Sequence, residues 1–266
     1  MPKIPSDINR FLSKVKQGLA TTLKGNLCGI YVYGSLTYGG FRLKNSDIDC
    51  VVVTNKTLGR KELGALNKWY KKLLKENRRL GKRLEMSYAV RDNLISTAAP
   101  KAPRFYRGKF NQKESDLDAN SAIIWLNLKE SGITVYGPSP KILVPHLYSS
   151  TLQKALRKVF DHMRQQPGKY LREDWSKVYV ILTYCRILYT LRTEKVTSKQ
   201  RAAELCLVNL PKQYNSLINR AIKSFVAGPD WKRLLRPIQG INKDSRNEII
   251  SFGNYVSKQL RGNPRA

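Results

Sequence analysis

The chain has 266 residues, of which 41% are hydrophobic and 26% charged, which excludes a disordered chain and allows one large or two modest globular domains. Lys and Arg number 49 against 19 Asp and Glu, so the formal net charge is +30. Residues 1–150 carry 26 basic and 11 acidic side chains and residues 151–266 carry 23 and 8, which is +15 for each part and excludes a detachable basic arm. Such a surface favours nucleotides, nucleic acid or anionic lipid as partners, or reflects a general basic bias that names no partner.

The cysteine and histidine content indicates a reducing compartment and no zinc site. Two His and four widely spaced Cys without a CxxC pair do not match zinc-ligand spacing. We interpret the cysteines in apolar runs as reduced core residues, which predicts a cytoplasmic protein: Cys28, Cys50 and Cys185. No membrane association is predicted, because the N-terminus lacks a signal-peptide core and the apolar run 178–191 is short and interrupted by Arg186.

Taken in chain order, the elements change character near residue 148. A helix is predicted from Ser6, and apolar or alternating runs predict strands at 26–33, 47–53, 84–90 and 132–136. Helices are predicted at 60–80, with a basic outer face, and at 119–130, whereas 97–120 is interpreted as a long basic loop or lid. Every later periodic segment is helical: 150–164, 174–192, 197–208, 211–226 and 244–260.

The predicted fold class is therefore α/β followed by all-α. We expect domain 1–148 to hold a mixed β-sheet flanked by helices, and domain 149–266 to be a helical bundle.

The strongest chemical signal is Gly34-Ser35 at the end of one strand and Asp47-Ile48-Asp49 at the start of the next. Asp47 and Asp49 are two apart on a strand, so both carboxylates point to one face. Paired carboxylates together with phosphate oxygens are ligands that Mg²⁺ prefers, and a Gly-Ser turn suits a terminal phosphate. The pattern predicts a Mg·NTP site for phosphoryl or nucleotidyl transfer, although an Asp-x-Asp at a strand edge also occurs as a turn cap.

The segment YGSLTYGGFRLKNSDIDCVVV (33–53) resembles the signature of the nucleotidyltransferase superfamily. More closely, it is similar to the streptomycin/spectinomycin adenylyltransferases, the aminoglycoside (3'')(9) adenylyltransferase family. Further similar segments follow along nearly the whole chain: RLEMSYAV, VYGP, LTYCRILYTL and EKVTSK. The resemblance implies an N-terminal nucleotidyltransferase domain and a C-terminal helical domain that closes the ATP and substrate cleft.

The resemblance also implies roles for individual residues. Asp47 and Asp49 would hold two Mg²⁺ ions that bridge the phosphates of ATP, while Gly34, Ser35 and Ser46 would bind the nucleotide. Glu85 would be the third carboxylate at the metals and the catalytic base that takes the proton of the acceptor hydroxyl. The alternative for Glu85 is a strand-edge carboxylate paired with one of the many Lys or Arg.

In the helical part, Arg186 and Lys199 match family residues that contact ATP. Because a buried charge requires a partner, Arg186 either faces the triphosphate or forms a salt bridge to Glu173, Asp174 or Asp161.

For the acceptor, Glu173, Asp174 and Tyr106 are candidate contacts. The family pattern departs where carboxylates would align with Arg172 and Ser176. Lid side chains are further candidates: Phe110, Glu114, Asp116 and Asp118.

The leading hypothesis is a monomeric ATP- and Mg²⁺-dependent enzyme of the antibiotic-resistance type. It would transfer AMP to a hydroxyl of an aminoglycoside or aminocyclitol such as streptomycin or spectinomycin. The net charge of +30 opposes a polycationic drug unless the cleft is locally acidic. Alternatives are a nucleotidyltransferase that modifies RNA, such as tRNA, or a protein, as toxin-type enzymes do, and a non-catalytic nucleic-acid-binding relative. The basic helix 60–80 is either solvated or holds RNA through phosphate contacts.

Overall fold

A computed structural model describes residues 4–43, 46–94, 102–115, 122–227, 241 and 245–262. The chain divides into two compact units, residues 1–147 and 148–266. The first unit contains a six-stranded sheet with helices, and the second is helical. This arrangement confirms the predicted fold class.

The sheet of the first unit has the strand order β5-β4-β3-β2-β1-β6. Only β2 and β3 pair in parallel among the described strands, so the sheet is mixed. Its strands are β1 (Leu27–Tyr33), β2 (Ile48–Thr54), β3 (Leu84–Val90), β4 (Ala102–Tyr106), β5 (Lys109–Ser115) and β6 (Ile133–Tyr136). Its helices are α1 (Ser6–Leu23), α2 (Arg60–Glu76), α3 (Arg78–Gly81), α4 (Ala122–Ser131) and α5 (Pro140–Leu143).

Alternation along the central strands sends side chains into two separate cores. On one face, Ile48, Cys50 and Val52 of β2 pack in a cluster that includes buried residues of α1 and α2. On the other face, Val51 and Val53 pack in a cluster with residues of α4. Because successive strand residues point to opposite faces, Asp49 shares the face of Val51 and Val53, on the α4 side of the sheet.

The interpretation of 97–120 as a loop or lid is wrong for residues 102–115, which form the β4–β5 hairpin. β4 extends the sheet by pairing with β3, and the turn contains Arg107 and Gly108 at φ 48° and 77°. Phe105 is fully buried and Phe110 packs against the same core, because the two residues pair directly across the hairpin and so share the α2 face. Phe110 is therefore a core residue rather than an exposed platform.

The second unit is built around the long, largely buried helix α8. Its helices are α6 (Ser149–Arg164), α7 (Pro167–Tyr170), α8 (Asp174–Thr193), α9 (Lys199–Asn209), α10 (Asn215–Ala227) and α11 (Ser245–Arg261). Helices α6, α7, α9, α10 and α11 all contact α8. Within the described ranges, no helix is both long and apolar enough to cross a membrane. All four cysteines are free thiols.

Candidate active site

The register between β2 and β3 brings two of the predicted carboxylates together. Asp49 and Glu85 are direct partners in the parallel pair, so their side chains share one face of the sheet. Asp47 precedes β2 and lies two residues before Asp49, which is the spacing of one strand face. The Glu85 side chain is 15% exposed, whereas Asp49 is half-buried and Asp47 is exposed.

The pKa of Glu85 is shifted by burial and by the charges of neighbouring side chains. Burial, followed by the negative charges of Asp49 and Asp47, raises the pKa of Glu85 to about 8. The Arg104 guanidinium acts in the opposite direction and lowers this pKa. The three acidic side chains therefore lie close enough to interact, at the end of the sheet where β2 and β3 begin.

The Gly34-Ser35 turn lies directly against Asp49. Tyr33, the last residue of β1, pairs with Asp49, and Gly34 follows it with φ +74°. Glycine suits this backbone conformation, and a Cβ atom on residue 34 would come within 2.2 Å of Asp49 Oδ2 and displace that carboxylate. Ser35 follows in a short 3-10 turn, Gly34–Leu36. The predicted phosphate-binding turn is thus adjacent to a predicted metal ligand.

Asn127 on α4 holds this turn, and the sequence analysis missed it. Its side chain is buried, and Asn127 Oδ1 accepts from the Gly34 backbone N–H at 2.6 Å. Asn127 Nδ2 donates to Thr37 Oγ1 at 3.1 Å and to Ser131 Oγ at 2.8 Å, and Thr37 Oγ1 donates to the Gly34 carbonyl at 2.9 Å. The Gly34 N–H is therefore already bonded within the protein. The one available signal was a lone amide in the apolar helix AIIWLNLKES.

Arg83 holds the loop that precedes Asp47, and this role was not predicted from the sequence. Its guanidinium donates to the Leu43 carbonyl at 2.7 Å and also to the Ser46 carbonyl. The Ser46 hydroxyl accepts from the Arg42 backbone N–H at 2.8 Å, which closes the loop before Asp47. Ser46 thus has a structural bond, and its predicted contact with a nucleotide stays a prediction.

The β4–β5 hairpin adds a cation and an aromatic ring next to Glu85. Arg104 Nη2 lies 3.0 Å from Glu85 Oε2, and the Arg104 guanidinium carbon is 4.8 Å from the centre of the Tyr106 ring. Burial and the charges of Glu85 and Asp47 raise the pKa of Tyr106, so the phenol faces the acidic side chains. Among the candidate acceptor contacts whose side chains the structure describes, Tyr106 is the one that the first unit brings to these carboxylates.

The fit of this site to Mg²⁺ rests on its donor chemistry. Within the described residues, no group of three or more His, Cys, Asp or Glu side chains forms a ready metal site. The three acidic side chains nevertheless offer carboxylate oxygens, which suit a hard cation, and burial together with their mutual repulsion raises the Glu85 pKa. The donor set therefore fits Mg²⁺ in kind, without a preassembled cage.

Four of the remaining predicted residues belong to the second unit: Glu173, Asp174, Arg186 and Lys199. Lys199 begins α9, and its ammonium lies 4.6 Å from the centre of the Tyr179 ring. Arg186 is half-buried, and in the described part of the chain no ion pair joins it to Glu173, Asp174 or Asp161. Asp174 instead pairs with the buried Lys177 at 2.8 Å. The side chain of Glu114, together with Asp116 and Asp118, lies outside the described residues.

Comparison with known proteins gives two family matches. Residues 12–100 match the nucleotidyltransferase domain, and residues 143–248 match the C-terminal domain of aminoglycoside adenylyltransferases. The chain is 25% identical to a spectinomycin 9-adenylyltransferase of Campylobacter jejuni, over 96% of this chain and 97% of that protein. It is 24% identical to an aminoglycoside (3'')(9) adenylyltransferase of Escherichia coli, over 96% and 95% of the two chains.

A solved structure shares the fold. The crystal structure of a spectinomycin adenyltransferase from Enterococcus faecalis with ATP and spectinomycin matches with a TM-score of 0.68 and 23% identity. The match covers 95% of this chain and 99% of the other. Together, the two family matches and the full-length relatives show that the chain is an adenylyltransferase enzyme and belongs to the aminoglycoside (3'')(9) adenylyltransferase family of the nucleotidyltransferase superfamily.

Proposed function

We propose that this enzyme transfers AMP from ATP to a hydroxyl of an aminocyclitol or aminoglycoside, with spectinomycin as the first substrate to test. The observation that carries the proposal is the pairing of Asp49 with Glu85 on one face of the sheet beside the Gly34-Ser35 turn, with the charge of Asp47 acting on Glu85. The relatives named as spectinomycin 9-adenylyltransferases support this choice of acceptor, since they span nearly the whole chain.

Glu85 is the proposed general base. As the acceptor oxygen attacks the α-phosphorus of ATP, the hydroxyl proton passes to Glu85, the bond to the bridging oxygen breaks and pyrophosphate leaves. With a pKa raised to about 8, the ionised form of Glu85 is a stronger base than an ordinary glutamate, and this form predominates above that pH. The Gly34-Ser35 turn orients the β- and γ-phosphates in the same proposal.

Asp47, Asp49 and Glu85 are the residues that would hold Mg²⁺. When bound, Mg²⁺ neutralises the triphosphate and stabilises the charge that develops during displacement. The register that pairs Asp49 with Glu85 and the closeness of Asp49 to Gly34 support this assignment.

We assign supporting roles to the second unit within this proposal. Arg186 and Lys199 would contact the ATP phosphates, as cations suited to a polyanion. Glu173 and Asp174 would contact ammonium groups of the acceptor. Asp174 is already paired with Lys177, so of these two the exposed Glu173 is the stronger candidate.

The decisive experiment is mass-spectrometric detection of AMP adducts. Purified enzyme, ATP and Mg²⁺ are incubated with spectinomycin, with streptomycin and with total tRNA. We expect an increase of one AMP on a drug, loss of transfer on addition of EDTA, and recovery with excess Mg²⁺.

Two variants complete this experiment. Glu85→Gln should lower kcat by about 10²- to 10⁴-fold, the range for a general base. Glu76→Gln is the matched control, because Glu76 is an exposed residue of α2 that contacts only Lys72, at 3.9 Å, among the described residues. Labelling of tRNA without labelling of either drug would overturn the proposed acceptor, and no transfer to any acceptor would overturn the function.

A further inference from the structure

Arg104 contacts the proposed base from the neighbouring strand. Its Nη2 donates to Glu85 Oε2 at 3.0 Å, and the two side chains are 23% and 15% exposed. A pair this shielded from water is less screened by salt than a surface pair. The contact therefore constrains the Glu85 carboxylate more than an exposed ion pair would.

The fold fixes the side of the sheet on which Arg104 lies. Arg104 pairs with Ser87 across β3 and β4, and Glu85 is two residues from Ser87 on the same face. The next residue, Phe105, is fully buried on the opposite face, where its ring stacks on Tyr70 with centroids 4.0 Å apart. Arg104 cannot leave the Glu85 face unless Phe105 leaves the core.

The guanidinium is also held by the Tyr106 ring. The Arg104 carbon lies 4.8 Å from the ring centre, and that of the exposed Arg107 lies 5.1 Å from the same ring. A planar guanidinium can stack on a ring while it donates to a carboxylate, which an ammonium cannot do equally well. Arg107 provides a natural comparison, since among the described residues it shares the ring contact but forms no ion pair with Glu85.

We propose that Arg104 is a positioning residue for AMP transfer, which binds Glu85 through Oε2 and so directs Oε1 at the acceptor hydroxyl. The proposal rests on the function assigned to Glu85. Two aspartates repel an ionised Glu85 from one side, and the cation of Arg104 holds it from the other. Among the described residues, no donor other than Arg104 is bonded to the Glu85 carboxylate, so Arg104 decides its orientation.

Steady-state kinetics of variants test this role. Arg104→Gln should lower kcat by about 10- to 100-fold, the loss expected for a misplaced reacting group, with KM for ATP unchanged. Arg104→Lys should recover part of this loss, because it keeps the charge but not the planar fork. The matched control Arg107→Gln should stay within about twofold of wild type, because it removes a cation from the same ring without a bond to Glu85.

A double-mutant cycle separates positioning from an independent role. If Arg104 acts through Glu85, adding Arg104→Gln to Glu85→Gln should change kcat by less than about twofold. Multiplicative losses would show that Arg104 acts on the substrate directly and would overturn the proposal. Thermal unfolding of each variant distinguishes a loss of stability from a loss of kcat.

A crystallographic measurement decides the proposal even if the wild-type enzyme labels none of the acceptors tested. In Arg104→Gln, we expect the Glu85 carboxylate to move or to occupy more than one position. A carboxylate that stays in its wild-type position in Arg104→Gln would overturn the positioning role. Activity on the drug panel, by contrast, bears on the proposed function alone.

Discussion

The two sides of the candidate site hold their side chains through different kinds of interaction. The turn side comprises Gly34–Thr37 with Asn127 and Ser131, and the hairpin side comprises Arg104 and Tyr106 on β4. Neutral, largely buried groups fix the turn side through hydrogen bonds of 2.6 to 3.1 Å. An ion pair and a cation–π contact fix the hairpin side, which ends in the partly exposed Tyr106.

Because of this difference, we expect the two sides to differ in how far their side chains can rearrange when substrates bind. Breaking a buried neutral hydrogen bond leaves unsatisfied polar groups, so the turn side has a single low-energy arrangement. On the hairpin side the Arg104–Glu85 pair is shielded from water, whereas the exposed Tyr106 ring at its end is free to adjust. We therefore expect the phosphate side of the site to be preformed and the acceptor side to adapt to its substrate.

The largest expected effect is on the anchor of the hairpin side. Phe105→Ala removes a fully buried ring that stacks on Tyr70, and should lower the free energy of unfolding by about 3–5 kcal/mol. Urea unfolding with an unchanged m-value measures it. The control Phe110→Ala removes a ring that is only partly buried, so it should cost less. Equal losses would mean that the hairpin is not anchored at Phe105.

The second largest effect is expected for a substitution at Gly34, where the turn lies against Asp49. Gly34→Ala combines a φ of +74° with a Cβ atom 2.2 Å from Asp49 Oδ2, and should cost about 3 kcal/mol of stability. Displacement of Asp49 should also lower AMP transfer by about 100-fold. Gly39→Ala is a matched control, because residue 39 has φ +75° but nothing within 4 Å of a Cβ atom.

The control should therefore show the backbone strain alone, about 1–2 kcal/mol, with activity retained. If both variants lost activity equally, the Asp49 contact would not be responsible.

A smaller effect is expected for the amide that holds the turn. Asn127→Ala leaves the Gly34 N–H without its acceptor, and should lower the free energy of unfolding by about 2 kcal/mol and raise KM for ATP. Ser131→Ala removes one partner of the same network and should cost about 1 kcal/mol. An unchanged KM for ATP in Asn127→Ala would show that nucleotide binding does not depend on this hydrogen-bond network.

The sequence predicted the carboxylate face of the site because strand alternation is local. Asp47 and Asp49 are two apart, and Glu85 lies in a strand whose apolar residues alternate. Only the pairing of β2 with β3, which the resemblance supplied, joins these positions. Asn127 was not predictable in the same way, since 93 residues separate it from Gly34 and one polar residue in an apolar helix indicates no partner.

The hairpin was missed for a different physical reason. Its two-residue turn places Arg107 at φ 48°, a conformation that arginine seldom adopts, so an arginine here does not indicate a turn in the sequence. Phe105 and Phe110 pack against the core because they pair directly across the hairpin, and two single aromatic residues among basic ones do not indicate such a pairing. Arg104 consequently had no predicted role, although its strand partner Ser87 lies beside Glu85.

The smallest expected effect is at Tyr106, and it tests the adaptable side directly. The Tyr106 ring contacts two guanidinium groups at 4.8 and 5.1 Å and is 37% exposed, so each contact is worth about 0.5–1 kcal/mol. Tyr106→Ala should therefore raise KM for the acceptor by about fivefold and leave KM for ATP unchanged, because the phosphate contacts are proposed on the turn side. Tyr106→Phe keeps the ring and should stay within about twofold of wild type. A larger loss in Tyr106→Phe than in Tyr106→Ala would contradict the ring contact, and an effect on KM for ATP would contradict the separation of the two sides.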